Sequence, residues 1–345
     1  MKIYINGRFL TQRITGVQRY AREIVGALDK LLLEKNSDVE WCILSPTNII
    51  EDLPTKYIKR KKCGKLTGHL WEQIELPYYA KDGYLINLCN CAPLIKKNQL
   101  VAIHDAAIAA FPQAYSWKFR IWYRIMCSVC GQRADKIVTV SQFSCSELHK
   151  YFNIDKEKIK VVYNGIDHMD RIEADDSIIE KLNLSGKDFV LGVGSRNHRK
   201  NFTLVLKAAK LMPTINFIIV GGTDKSVFAN DVYEKLPNVT YTGYITDEKL
   251  ISLYRHAKVF VYPSLYEGFG IPPLEAMSQG CPTIVSKCAS LPEVCGSYAV
   301  YCDANDPVDL AKCIEKIKNN NGIREGVIKK YSWHNSAEQL LKLLC

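Results

Sequence analysis

Phe189-Val-Leu-Gly-Val-Gly-Ser-Arg-Asn-His-Arg-Lys-Asn-Phe202 opens the second half of a 345-residue chain. An apolar run leads into a glycine turn, then a basic cluster, then the apolar rhythm of a helix over Asn201–Leu211. A strand that is apolar along its length is covered on both faces, and strands alternating with helices build parallel sheets. Gly192 and Gly194 begin a G-x-G, but Asn197 holds the sixth position, so the dinucleotide fingerprint is incomplete. The P-loop pattern is absent as well. What remains is Arg196 and Lys200 where a strand opens into a helix, a place that favours phosphate. The competing reading is a solvated basic turn.

The same alternation extends in both directions. Strand-like runs precede it at Lys2–Asn6, Val39–Leu44, Tyr84–Cys89, Leu100–His104, Lys136–Val140 and Lys160–Tyr163. Others follow at Asn216–Val220, Val239–Thr242, Val259–Tyr262 and Pro282–Val285. Helical periodicity marks Gly16 to about Leu33, Trp117 to about Arg133, Ser144–Tyr151, Asp247–His256 and Asp306–Lys318. The length suits two domains. The expected fold is α/β, with two Rossmann-like doubly wound domains and a cleft between them. The first domain is expected over 1–167 and the second over 186–330. The polar stretch 168–185 reads as a linker, and 331–345 as a final helix crossing back to the first domain. In such sheets ligands bind beyond the carboxyl ends of the strands.

A second stretch is sharper: Tyr262-Pro-Ser-Leu-Tyr-Glu-Gly-Phe-Gly-Ile-Pro-Pro-Leu-Glu-Ala-Met277. Glu267 and Glu275 stand seven residues apart, the first at a strand end and the second early in a helix. Gly268 and Gly270 let backbone approach a ligand, and Pro272 and Pro273 suit a helix's first turn. Carboxylates accept hydrogen bonds from sugar hydroxyls, while amides and a helix dipole suit a diphosphate. Without a ligand, Glu275 would be a helix-dipole partner and Glu267 a turn residue.

Glu267-Gly-Phe-Gly-Ile-Pro-Pro-Leu-Glu275 resembles the E-x7-E motif of the retaining glycosyltransferase family 4, the group 1 glycosyltransferases. Ala289-Ser-Leu-Pro-Glu-Val294 is similar to the segment that follows it there, and Gly194–Asn201 resembles the family's Arg/Lys diphosphate clamp. Arg13-Ile-Thr-Gly-Val-Gln-Arg-Tyr-Ala-Arg-Glu-Ile24 looks like its N-terminal glycine loop and first helix, and Asn164-Gly-Ile-Asp167 like the close of its first domain. The matches run in order along nearly the whole chain. The resemblance implies the GT-B fold and transfer of a sugar, with retention, from a nucleotide-diphosphate donor. It implies that Gly16 offers its N–H near the donor phosphate, with Gly194 in the donor loop, and that Arg196 and Lys200 neutralise the leaving diphosphate. It further implies that Glu267 holds sugar hydroxyls, that Gly268, Phe269, Gly270 and Ile271 lie against sugar and phosphate, and that Glu275 binds ribose. His104 matches a strand-end histidine facing the donor sugar; Asp105 either caps the next turn or faces the acceptor.

No cofactor and no metal are expected, because fixed cations serve the leaving group and no convincing Asp-x-Asp occurs; Asp175-Asp176 reads as solvated. The expected partners are a nucleotide sugar and a saccharide or polyprenyl-linked acceptor in bacterial surface polysaccharide synthesis. GDP-mannose is the donor that the N-terminal segment favours. A nucleotide-sugar epimerase, a phosphorylase of similar fold and a non-catalytic partner subunit are the alternatives.

Composition sets the remaining bounds. The net charge of +10 suits phosphorylated molecules or anionic lipid, and no nucleic-acid-binding signature accompanies it. Tyr115–Met126 interleaves aromatics with Lys118, Arg120 and Arg124 and suits a membrane surface, or else a core helix with snorkelling arginines. The run Lys56–Lys65 would add attraction to anionic lipid. No signal peptide and no membrane span are read, so the expected location is cytoplasmic, with peripheral association at the inner face of the membrane. Reduced thiols are expected for the 13 cysteines, with Cys127 and Cys130 a buried helical pair.

Overall fold

The computed structural model describes residues 2–35, 38–195, 197–222, 235–317 and 323–344. It divides into two compact units. One holds Met1–Ala109, Ile121–Gly165 and Ser332–Cys345; the other holds Ala110–Arg120 and Ile166–Tyr331.

The first unit is built on seven parallel strands: β1 (Lys2–Asn6), β2 (Glu40–Ser45), β3 (Lys59–Lys62), β4 (Tyr84–Asn87), β5 (Gln99–Ala102), β6 (Lys136–Thr139) and β7 (Ile159–Val161). Their order is β3-β2-β1-β4-β5-β6-β7. The second unit has β8 (Phe189–Val193), β9 (Asn216–Val220), β10 (Val239–Gly243), β11 (Val259–Tyr262), β12 (Thr283–Ser286) and β13 (Val300–Cys302), in the order β10-β9-β8-β11-β12-β13. All pairings are parallel. In each sheet the chain winds outward one way from its first strand and then reverses. The reversal falls between β1 and β4 in one unit and between β8 and β11 in the other, the switch points where doubly wound sheets bind ligands.

Apolar strands sit in the middle because both faces are covered. Val190, Val261, Phe217 and Ile284 pack against the helix Phe202–Leu211 in the second unit. In the first, Val101, Ile103 and Ile137 meet Met126, Cys127 and Cys130 of the helix Trp117–Arg133. Both cysteines carry free thiols. Burial pushes Cys130 up to about 12, which suits packing and not reactivity.

Three segments differ from the sequence reading. The basic run at Lys56–Lys65 contains the edge strand β3, whose Lys59, Arg60, Lys61 and Lys62 are all exposed. Lysine on a sheet edge discourages pairing with another chain, so a charge-rich stretch can still be a strand. Strand β13 closes one edge of the second unit's sheet and was not foreseen. The stretch 168–185 joins the two sheets in sequence and packs into the second unit. Ile178, Ile179 and Leu184 are buried, and Ser252 Oγ donates to Asp176 at 2.6 Å, which fastens the helix Ser177–Lys181 to the helix Asp247–His256. Its few apolar residues are the anchors, and the polar majority hid them.

The helix Trp333–Lys342 belongs to the first unit and packs on Gly16–Lys35. Gly165 makes room for this return: a Cβ there would lie 2.2 Å from the Trp333 nitrogen. Among the described residues no helix is long and apolar enough to cross a membrane.

Candidate active site

At the switch point of the second unit, two loops are laced together. After β8, Gly194 donates its N–H to Val220 O at 2.9 Å, and Gly221 approaches so closely that a Cβ would sit 2.0 Å from Gly194 O. Gly221 also has a φ of +131°, so only glycine fits there. A short turn over His198–Lys200 ends at Asn201, whose left-handed backbone starts the next helix. The Asn201 amide donates to Pro263 O at 3.1 Å and to Ala304 O at 2.8 Å. From the loop after β11, Leu265 N donates to Arg199 O at 2.8 Å, and Ser264 Oγ lies 2.9 Å from the same oxygen.

This lacing brings Lys200 and Glu267 face to face. Lys200 Nζ donates to Glu267 Oε1 at 2.6 Å and also bonds the Tyr262 hydroxyl. Arg199 Nη1 reaches Glu267 Oε2 at 3.2 Å and Tyr266 O at 3.0 Å. Ser264 Oγ donates to Glu267 Oε1. Glu267 is only 7% exposed. Burial alone would push its carboxyl up, but Lys200 and Arg199 overcome that and hold it at about 2. Burial, with Glu267 and Glu275 both acting on it, pushes the Tyr262 hydroxyl well above its ordinary value. Tyr262 is therefore neutral between two carboxylates.

Glu275 lies in the second turn of the helix Ile271–Ser278. It accepts from Tyr254 OH at 3.3 Å and faces His168 Nε2 at 3.4 Å. The intervening Gly268, Phe269 and Gly270 are buried, and Ile271 is half-buried. Ser290 Oγ lies 2.9 Å from the carbonyl oxygens of both Glu267 and Phe269 and shares its one proton between them, which pins this backbone. Gly270 has a φ of +101°, and a Cβ there would meet Leu291 at 2.7 Å.

The remaining candidates belong to the first unit. Gly16 is the first residue of its helix, and apart from its chain neighbours and its own helix backbone no atom of the described residues lies within 4 Å of where its Cβ would be. His104 follows β5 and is buried. One ring nitrogen, Nε2, lies 2.9 Å from Leu88 O, and the ring meets Tyr20 edge-on at 4.6 Å. Burial lowers its pKa, so it is a neutral imidazole. Asp105 Oδ1 caps Ala107 N at 2.9 Å. Arg196 lies outside the described residues.

Lys200 and Glu267 thus touch, while Glu275 has separate partners in the same unit. Arg199, Ser264, Tyr262, Tyr254 and His168 were not foreseen. Arg199 had a signal, one place before Lys200 in the basic cluster. His168 had none, since it stood in a segment read as a linker.

The group 1 glycosyl transferase model matches residues 174–333, and the glycosyltransferase family 4 model matches residues 89–169. The O-antigen chain mannosyltransferase B of Escherichia coli is 32% identical, covering 99% of this chain and 98% of its own. The O-antigen chain mannosyltransferase RfbU of Salmonella typhimurium is 30% identical over 66% of this chain and 62% of its own. Among solved structures, HepE of Anabaena in complex with UDP and glucose matches with a TM-score of 0.72 at 16% identity, over 99% of this chain and 98% of its own. WaaG, a glycosyltransferase involved in lipopolysaccharide biosynthesis, matches with a TM-score of 0.60 at 13% identity, over 98% and 95%. These structural likenesses show that the fold is GT-B.

Glu267→Gln keeps the shape and removes the buried anion that two half-buried cations face. Breaking a buried ion pair costs about 3–5 kcal/mol, so thermal melts should show a clear loss at neutral pH. The depressed carboxyl supplies stability above its ordinary value of 4.5 that is lost as pH falls toward 2. Melts across that window should therefore converge for the variant and the wild type. Parallel curves would show that Glu267 is not the ionised partner.

Proposed function

The chain belongs to the family 4, group 1 glycosyltransferases, and on that premise we propose that it transfers mannose from GDP-mannose to a saccharide or lipid-linked saccharide acceptor. The proposed setting is bacterial surface polysaccharide synthesis. The observation that carries the site assignment is the Lys200–Glu267 pair at the switch point of the second unit. The full-length likeness to an O-antigen mannosyltransferase supports the donor and the setting.

In sugar transfer the bond between the anomeric carbon and the β-phosphate oxygen breaks, the acceptor hydroxyl oxygen bonds the anomeric carbon on the same face, its proton passes to the leaving phosphate, and negative charge gathers on the departing diphosphate. A fixed cation aimed at that charge lowers the barrier because the stabilisation grows as the bond breaks. Lys200 is such a cation. Glu267 and the Tyr262 hydroxyl fix its ammonium, so little reorganisation is needed when the charge develops. Arg199 serves from the same turn through its hold on Glu267 and on the Tyr266 carbonyl. The neighbouring Arg196 is assigned to the diphosphate by family likeness. In this proposal fixed cations do the work of a divalent ion. Gly194 and the pinned backbone over Gly268–Ile271 form the donor's wall, Glu275 takes the ribose, and Gly16 and His104 act from the first unit, with Asp105 on the acceptor side.

We also propose that the protein works at an anionic membrane surface on the cytoplasmic side. The helix Trp117–Arg133 exposes Trp117, Ile121 and Ile125, one stripe at four-residue spacing, with Lys118, Arg120 and Arg124 exposed beside it. Apolar rings flanked by cations suit the headgroup region.

Two measurements test these readings. GDP should raise the melting temperature more than UDP, ADP or dTDP, equally with and without EDTA. A ligand at a hundred times its Kd adds about 2.7 kcal/mol to stability. A larger rise with another nucleotide would replace GDP as the donor base, an EDTA-sensitive rise would overturn the metal-free site, and no rise at all would sink the donor site. Sedimentation with phosphatidylglycerol vesicles at low salt should carry the protein down, and Ile121→Glu should weaken this. Protein that stays in the supernatant at low salt ends the membrane reading.

A further inference from the structure

The first unit has its own switch point, and it too holds a buried carboxylate. Strand β1 ends at Asn6 and β4 at Asn87, neighbours across the reversal of strand order. Asn6 Nδ2 donates to Asn87 Oδ1 at 3.0 Å and to Glu72 Oε1 at 2.8 Å. Arg8 Nε donates to the same Glu72 oxygen at 3.0 Å. Glu72 is 1% exposed. Its other oxygen, Oε2, faces His69 Nδ1 at 3.2 Å. The His69 side chain is 40% exposed, and its ring meets the Trp122 ring at 5.2 Å and 69°.

The local helix is shaped for this. Gly68–Leu70 and Leu76–Tyr79 are α-helical, and Trp71–Glu75 between them forms a wider π turn. Pro77 lacks an N–H and crowds the Gln73 carbonyl four residues back, which is a standing cause of such a turn. The wider turn lets the neighbours Trp71 and Glu72 both face inward. Such turns concentrate at functional sites.

Burial would push the Glu72 carboxyl up, but the His69 hydrogen bond, the Arg8 charge and the Asn6 amide together hold it below its ordinary value, and the Arg8 guanidinium is the fixed countercharge. The carboxylate in turn orients the ring. An Nδ1–H donated to Glu72 Oε2 sets the tautomer and leaves Nε2 as an acceptor. Among the described residues Nε2 has no protein partner. The same cluster has the composition of a cation site, because ligand atoms of His69, Glu72 and Cys91 lie within 4.8 Å of one another. Arg8 already supplies positive charge there, which opposes a divalent ion.

We infer that His69 is an acceptor-binding residue: its Nε2 accepts a hydrogen bond from an acceptor sugar hydroxyl, with the Trp122 indole as an apolar face for the sugar ring. Glu72, held by Arg8 and Asn6, is a positioning residue that acts through His69. This assignment rests on the glycosyltransfer reading and extends it to the acceptor.

The test uses the full chain labelled with 15N-histidine, with His69 assigned by the signals lost in His69→Gln. Methyl α-D-mannopyranoside, a soluble acceptor surrogate, should shift the His69 Nε2 resonance, whereas GDP should leave it in place. Glu72→Gln should abolish the fixed tautomer pattern and weaken the mannoside response. With the mannoside as acceptor, His69→Gln should raise its KM about tenfold, equal to about 1.4 kcal/mol, and leave the KM for GDP-mannose unchanged. A His69 signal unmoved at saturating turnover, or one that responds to Zn²⁺ and not to mannoside, overturns the proposal. If GDP raises the melting temperature in that same sample, the donor reading survives such a failure; if it does not, the broader reading has failed first.

Discussion

Glu267 is an ionised carboxylate with almost no access to water, and it stays ionised because Lys200 and Arg199 lie against its two oxygens. An uncompensated charge in that position would cost several kcal/mol. The rest of the site follows from meeting this cost. Lys200 must come from the loop after β8 and Glu267 from the loop after β11, so the two strands must be neighbours. Asn201 and Ser264 must bind the loops across that boundary. Gly221 must let backbone close on Gly194. The fold itself thus fixes the position of this cation.

The two units repeat this logic with different chemistry. Each reverses its strand order once, and just beyond each reversal a buried carboxylate is held by an arginine and a second base. In one unit the second base is Lys200, whose ammonium lies against Glu267 and suits a departing phosphate. In the other it is His69, whose ring offers both a donor and an acceptor and suits a hydroxyl. Doubly wound sheets leave a crevice at the reversal, so the recurrence has a geometric origin.

Much of the frame was legible from residue pattern. The strands Phe189–Val193, Asn216–Val220 and Val259–Tyr262 could be read to the residue because buried parallel strands are continuously apolar. So could the helix Trp117–Arg133. The pairing of Lys200 with Glu267 was partly legible: both residues stood out, but their direct contact depends on how two loops cross, which no local pattern encodes. Strand β3 was hidden by its charge, since edge strands are selected against aggregation and not for burial. Glu72 and His69 were missed because His-x-x-Glu is a common surface pairing on helices; only the π turn drives this glutamate inward. His168, against Glu275, lay in a polar stretch whose few apolar anchors gave too weak a rhythm to read.

The central claim is that Glu267 acts in turnover by holding Lys200. A double-mutant cycle on GDP release from GDP-mannose tests it most directly, using Lys200→Met, Glu267→Gln and the combined variant. If the two residues act as a unit, the combined variant should be little slower than the worse single variant, with a coupling energy at the upper end of about 0.5–3 kcal/mol. Losses that simply add, within about 0.5 kcal/mol, would mean the two groups act separately and would contradict the account.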